Sequence, residues 1–257
     1  MLITMKKLTT SGLCLGIFLL LVSCQTEEEN NPPENQEEVQ LQSTARQSAA
    51  SDPGARSMLN AMVVSAFQVG TKDMEMKYAA EADIVAGIDL GSIILKSNVN
   101  TALGAASGEP QTLVLISDGQ ARVSAIGEGN TPKGNYQEIQ FELYTNTSVD
   151  NDDPMYGKSL WINGEINGET SQIWMDVESE IRAMAENDEG HEVNENTELL
   201  LVFDLEDLFQ GVDFEAAVDG NSDGIIEIGP GDVDGNSSLY SKIEGNLESS
   251  VKFERKS

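Results

Sequence analysis

Nine consecutive residues, Asp219-Gly220-Asn221-Ser222-Asp223-Gly224-Ile225-Ile226-Glu227, set oxygen donors at alternate positions. Asp219, Asn221 and Asp223 are spaced so that three side-chain oxygens converge on one hard cation. Gly224 permits a sharp turn, Ile225 can offer its backbone carbonyl, and Glu227 follows two residues later. Calcium takes roughly six to eight such oxygens in a flexible shell. Asp232, Asp234 and Asn236 are near enough along the chain to complete that shell. The competing reading is an acidic Gly/Asn turn exposed to water, which arises readily in a chain with 44 acidic residues. The expected cofactor is Ca²⁺, acting as a structural staple.

The stretch matches the first half of an EF-hand-type calcium loop, with one departure. Position twelve is Pro230, where a bidentate Glu belongs, and no helix is expected just upstream. A second acidic loop, Asp150-Asn151-Asp152-Asp153, has donors but no glycine to turn on.

The residues of nucleophilic catalysis are scarce. His191 is the single histidine, and it lies in the polar stretch 187–196. The two cysteines, Cys14 and Cys24, both precede the body, so no thiol remains there to bind zinc or attack a substrate. No Gly-x-Ser-x-Gly elbow is present. Gly127-Glu128-Gly129 lacks a third glycine and a following helix, so it is no dinucleotide loop. Carboxylate pairs carry no signal where acids are this abundant. Trp161 and Trp174 are the only tryptophans. They form either a platform for stacking a sugar or a packed pair on a sheet. The expectation is a protein that is not an enzyme.

Short strands must position these residues. Met62–Val69 and Lys72–Tyr78 each read as strands, separated by Gly70-Thr71. Gln111–Ser117 runs into Asp118-Gly119, a hairpin signal, and Arg122–Ile126 follows. Tyr136–Tyr144 alternates Ile139, Phe141 and Leu143 against Glu138, Gln140 and Glu142. Glu198–Leu205 is apolar enough to be a central strand. Two Asn-Gly turns compete in 159–177. With Asn167-Gly168 as the turn, Trp161 faces Trp174, Ile162 faces Ile173 and Leu160 faces Met175. With Asn163-Gly164 the tryptophans separate. Cross-strand aromatic pairs contribute roughly 0.2–1 kcal/mol, so Asn167-Gly168 is the expected turn. A short helix is expected near 205–210. A C-terminal helix from Ser237 carries Leu239, Ile243, Leu247 and Val251 as one apolar stripe.

The first 24 residues carry a different chemistry. Lys6 and Lys7 precede an uncharged apolar stretch, Leu13–Val22. That is too short for a bilayer, which needs roughly 20 residues, and it suits a signal peptide. It closes on Leu21-Val22-Ser23-Cys24, which resembles a bacterial lipobox. The resemblance implies cleavage after residue 23 and a diacylglyceryl thioether on Cys24, with further acylation of the new amine. Two or more acyl chains hold a protein stably to a membrane. The alternative is an ordinary secretion signal that contains a cysteine.

Residues 24–57 are polar, acidic and proline-containing, and are expected to be a disordered tether. Gln25-Thr26-Glu27-Glu28-Glu29 resembles the acidic surface-export signal of Bacteroidota lipoproteins. The expected organisation is therefore a signal peptide over 1–23, a tether over 24–57, and a body over 58–257.

The chain has 257 residues, a net charge of −29 and 39% apolar residues, enough to build a core. That charge excludes nucleic acid as a partner. Many short strands and few helices indicate a mainly β, antiparallel β-sandwich. Pro132-Lys133-Gly134-Asn135-Tyr136-Gln137-Glu138-Ile139 resembles the strand opening of transthyretin-like and immunoglobulin-like sandwiches. A strand at Ser159–Gly164 follows, then Leu199–Leu205 leads to Phe209–Phe214. This order is similar to an uncharacterised β-sandwich family of Bacteroidota surface lipoproteins, over about Met58–Lys252. The resemblance implies a lipid-anchored sandwich on the outer membrane and transfers no catalytic residue. The expected function is a binding or adhesion module with an unknown protein or glycan ligand. A glycan-handling accessory and a structural envelope-assembly subunit are the alternatives.

Overall fold

The computed structural model describes residues 36–47, 58–59, 61–81, 94–95, 101–102 and 109–256. The expected signal peptide, Leu21, Val22, Ser23 and Cys24 lie outside the described residues. In chain order the strands begin with β1 (Gln36–Arg46), β2 (Met58–Leu59), β3 (Met62–Glu81), β4 (Ile94–Leu95) and β5 (Thr101–Ala102). Next come β6 (Gln111–Ser117), β7 (Gln120–Ala121), β8 (Val123–Pro132), β9 (Gly134–Leu143) and β10 (Leu160–Ile166). The rest are β11 (Glu169–Met175), β12 (Glu180–Ala185), β13 (His191–Val193), β14 (Thr197–Asp204), β15 (Ile226–Ile228) and β16 (Val251–Arg255). Two α-helices, α1 (Leu205–Leu208) and α2 (Ser237–Ser250), and a 3-10 turn at Phe214–Ala216 complete the described elements.

The protein is mainly β, as its alternating pattern predicts, but the sheet is mixed rather than antiparallel. Three pairs run parallel: β1 with β14, β11 with β15, and β12 with β16. Each joins strands that a hairpin cannot connect, so no local turn signal announces them. The main path runs β15-β11-β10-β3-β9-β12-β16-β14-β1-β8. Beyond β8 the ladder continues. The Arg122 N–H donates to the Leu115 carbonyl at 2.8 Å, extending the β6–β7 hairpin, and β6 pairs with β3. Hydrogen bonding thus returns to the strand it left. The curl brings Phe67 of β3 edge-on to Phe203 of β14, ring centres 5.8 Å apart, although three strands separate them along the path. Phe141 of β9 meets the same ring at 6.2 Å. The curled sheet encloses one continuous buried core that includes these three rings.

The break expected at Gly70-Thr71 is absent, and β3 runs unbroken through it. The Gly70 N–H donates to the Ser159 carbonyl at 2.8 Å, and its own carbonyl accepts the Tyr144 N–H at 2.9 Å. One edge of β3 therefore serves β10 before Gly70 and β9 after it. A Cβ at residue 70 would collide with the Tyr144 carbonyl. Glycine here marks a change of partner, which in sequence looks like a turn.

The expectation of a coil over 24–57 fails for Gln36–Arg46. This segment is β1, inserted between β14 and β8. Val39, Leu41, Ser43 and Ala45 point inward and are buried, while Glu38, Gln40 and Arg46 are exposed. Its alternation is real but built from small and polar residues, so its apolar content falls below the level that a local reading registers. The ladders on both sides, rather than its own hydrophobicity, hold it in place.

The hairpin register is borne out in full: Trp161 faces Trp174, Ile162 faces Ile173, and Leu160 faces Met175. Leu239, Ile243 and Leu247 of α2 are buried as the stripe predicts. Val251, expected on the same stripe, instead opens β16 opposite Phe203. There the chain gains a ladder along β14 that outweighs one more turn of helix.

Candidate functional site

The acidic loop 217–236 is fixed at three places. β15, in its middle, pairs in parallel with β11 and buries Ile226 and Ile228 in the core. Asn236, 4% exposed, joins the two ends of the loop. Its Nδ2 donates to the carbonyls of Val218 at 2.8 Å and Glu227 at 2.9 Å, and its Oδ1 accepts the Val218 N–H at 3.1 Å. Asp234, 3% exposed, accepts the Glu227 N–H at 2.7 Å and the Asn221 N–H at 3.2 Å. Asp234 and Asn236 are themselves buried, and these bonds satisfy their side-chain polar atoms.

The donors of the first half wind around a tight turn. Asp219 Oδ1 accepts the Ser222 N–H at 2.7 Å, and its Oδ2 accepts the Gly224 N–H at 2.9 Å. Asn221 Oδ1 accepts the Asp223 N–H at 2.9 Å, and Asp223 Oδ1 accepts the Ile225 N–H at 2.9 Å. Gly224 has φ of 92°, a conformation that glycine adopts without strain. Asn221 Nδ2 donates to Asp223 Oδ2 at 3.1 Å and to Glu227 Oε2 at 3.4 Å, bringing Glu227 to the same turn. Burial pushes the Glu227 carboxyl up from the ordinary range, and Asp234, Asp223 and Asp219 add to the rise. The Asn221 hydrogen bond opposes it.

Of the expected ligands, Asp219, Asn221, Asp223, Glu227 and Asp234 are thus brought together. Asp232 is not: it is exposed, and its Oδ1 accepts the Ser237 N–H at 2.8 Å at the start of α2. Ile225 lends its N–H to Asp223. Among the described residues, no group of three or more His, Cys, Asp or Glu side chains stands ready to hold a metal ion. Their oxygens face loop amides, and Pro230 supplies no twelfth-position carboxylate. The residues therefore do not form a complete calcium shell as they stand.

The organising roles of Asn236 and Asp234 are not evident from donor spacing. A signal for them exists: Asp-Gly-Asn-Ser occurs twice, at 219–222 and 234–237. The structure sets the two copies against each other, and a Cβ on Gly220 would collide with the Asp234 backbone.

The 150–153 loop is a local turn, in which Asp153 Oδ1 accepts the Met155 N–H at 2.8 Å. His191 is a strap between strands. Its Nε2 donates to the Phe253 carbonyl at 2.8 Å, and its ring stands edge-on to Phe253 at 4.9 Å.

Trp161 and Trp174 are half-buried and lie outside the core cluster. Sheet alternation sends Ile162 and Ile173 inward and both indoles outward. Trp174 packs so closely against Gly229 that a Cβ there would run into the indole.

The chain matches no protein-family model, and no similar curated protein or solved structure was found.

Proposed function

We propose that this chain is a lipid-anchored, non-enzymatic protein of the bacterial cell envelope, displayed on the outer face of the outer membrane, whose β body is a binding or adhesion module. The observation that carries the reading is Leu21-Val22-Ser23-Cys24 at the close of an uncharged apolar stretch. The acidic run behind Cys24 supports surface display. The non-enzymatic part is supported by a body without thiols and by its one imidazole, which is hydrogen-bonded to a backbone carbonyl. The finer fold belongs to the same reading: a flattened sandwich of transthyretin-like or immunoglobulin-like outline, supported by the Phe67–Phe203 contact across the curled sheet.

Calcium enters as a staple of the 219–236 loop. What supports it is that Asp234, Asp223 and Asp219 lie close enough to Glu227 to add to the rise that burial produces in its carboxyl, a repulsion that a cation would relieve. Binding requires the outer carboxylates to turn from the loop amides, so weak affinity is expected.

Mass spectrometry of the mature N-terminus tests the anchor. A diacylglyceryl Cys24 is expected, and Cys24→Ser should leave an unprocessed, unacylated chain. Protease added to intact cells should digest the body. Thermal melts in calcium and in chelator test the staple, with a higher melting temperature expected in calcium.

A further inference from the structure

The two outward indoles share their face with the amides of Gln68, Asn163 and Gln172 and with Ala66, Glu165, Thr170 and Glu227. Register places Gln68 of β3 beside Trp161, and Trp161 beside Trp174. In the neighbouring row Asn163 faces Gln172, and Gln172 faces Glu227 of β15. All six are half-buried. The same hairpin buries Ile162, Ile173, Leu160 and Met175 on its other face. Both tryptophans of the chain lie on the outer face, beside Gln68, Asn163 and Gln172.

From this juxtaposition we infer that the outer face of β10 and β11 is a sugar-binding face, taking a neutral oligosaccharide stacked on Trp161 and Trp174 and hydrogen-bonded by Asn163, Gln172 and Gln68. The chemistry is complementary on both counts. A pyranose ring offers an apolar C–H face to an indole and a rim of hydroxyls to amides, which donate and accept alike. Gly229 packs against one side of the Trp174 indole, so a sugar stacks on the side left open. Charge selects the sugar. With a net charge of −29 and Glu227 in the face itself, an anionic glycan is repelled and a neutral one is not. The inference rests on the reading of the body as a binding module, and it names that module's ligand class.

The test uses the protein's own fluorescence, because its only tryptophans are in the proposed site. Full-length protein in detergent is titrated with neutral hexasaccharides of the cello-, xylo-, manno- and malto- series, and with a polyuronate. A saturable change in emission with at least one neutral sugar and none with the polyuronate is expected. Trp161→Ala should weaken that response by about tenfold or more. Gln172→Ala, a change outside the core, should weaken it several-fold, and it serves as the reporter should Trp161→Ala fail to fold. No emission change with any neutral sugar, or a response unaltered in both variants, overturns the proposal. A response to an amphipathic peptide with none to sugars overturns it in favour of a protein partner. Cys24 acylation is measured on the same preparation. A missing sugar response on acylated protein therefore defeats the glycan assignment and leaves the anchoring reading standing.

Discussion

Asp234 accepts the backbone N–H of Glu227 at 2.7 Å from a position almost wholly out of water. The same carboxylate holds the Asn221 amide, so it joins the 219–224 turn to β15. Removing it takes the side-chain acceptor from two amides. Asp234→Ala should cost about 2–4 kcal/mol, more than a typical exposed acidic substitution. Urea denaturation checks this. A loss no larger than that of the exposed Asp232→Ala would show that the carboxylate does not organise the loop.

The pH dependence of Glu227 has a definite sign. Its folded-state carboxyl is raised, first by burial and then by Asp234 and Asp223. The folded chain then holds this proton up to a higher pH than the unfolded chain does. Stability falls as pH rises through the window just above the ordinary carboxylate range, and the penalty is absent below it. In chelator, Glu227→Gln should raise the denaturation midpoint at neutral pH, with the gain fading in acid. An equal gain at both pH values would point to packing instead.

Gly70 tolerates no side chain while β3 serves two partners on one edge. Gly70→Ala should destabilise by roughly 3–5 kcal/mol, at the large end for a single substitution. Thermal melting checks it. A near-neutral result would mean that the Tyr144 carbonyl can yield.

The β1 strand is an integral part of the body. Leu41→Ala should cost about 2–5 kcal/mol, the usual range for an emptied core position. Leu41 is fully buried between β8 and β14. A chain beginning at Gln36 should fold, and one beginning after Arg46 should not, as read by circular dichroism. Independent folding of the shorter chain would place β1 outside the cooperative unit.

Legibility in this chain tracks how local the cause is. The Trp161–Trp174 register follows from a two-residue Asn-Gly turn and a period-two pattern, and both are written within some fifteen residues. The α2 stripe of Leu239, Ile243 and Leu247 is equally local. So is the turn of Asp219, Asn221 and Asp223, whose side chains bond amides a few residues away. The parallel pairs are different. The β1 strand owes its place to Thr197–Asp204, far along the chain, and residues as weakly apolar as Ser43 and Ala45 give no advance sign of it. Gly70 reads as a break until its two partners are seen on one edge. The burial of Asp234 and Asn236 likewise depends on β15 docking beside β11. Short-range sterics and periodicity act within one segment and survive in its sequence. Long-range pairing is settled by which distant surfaces meet when the sheet closes, and no single segment records that.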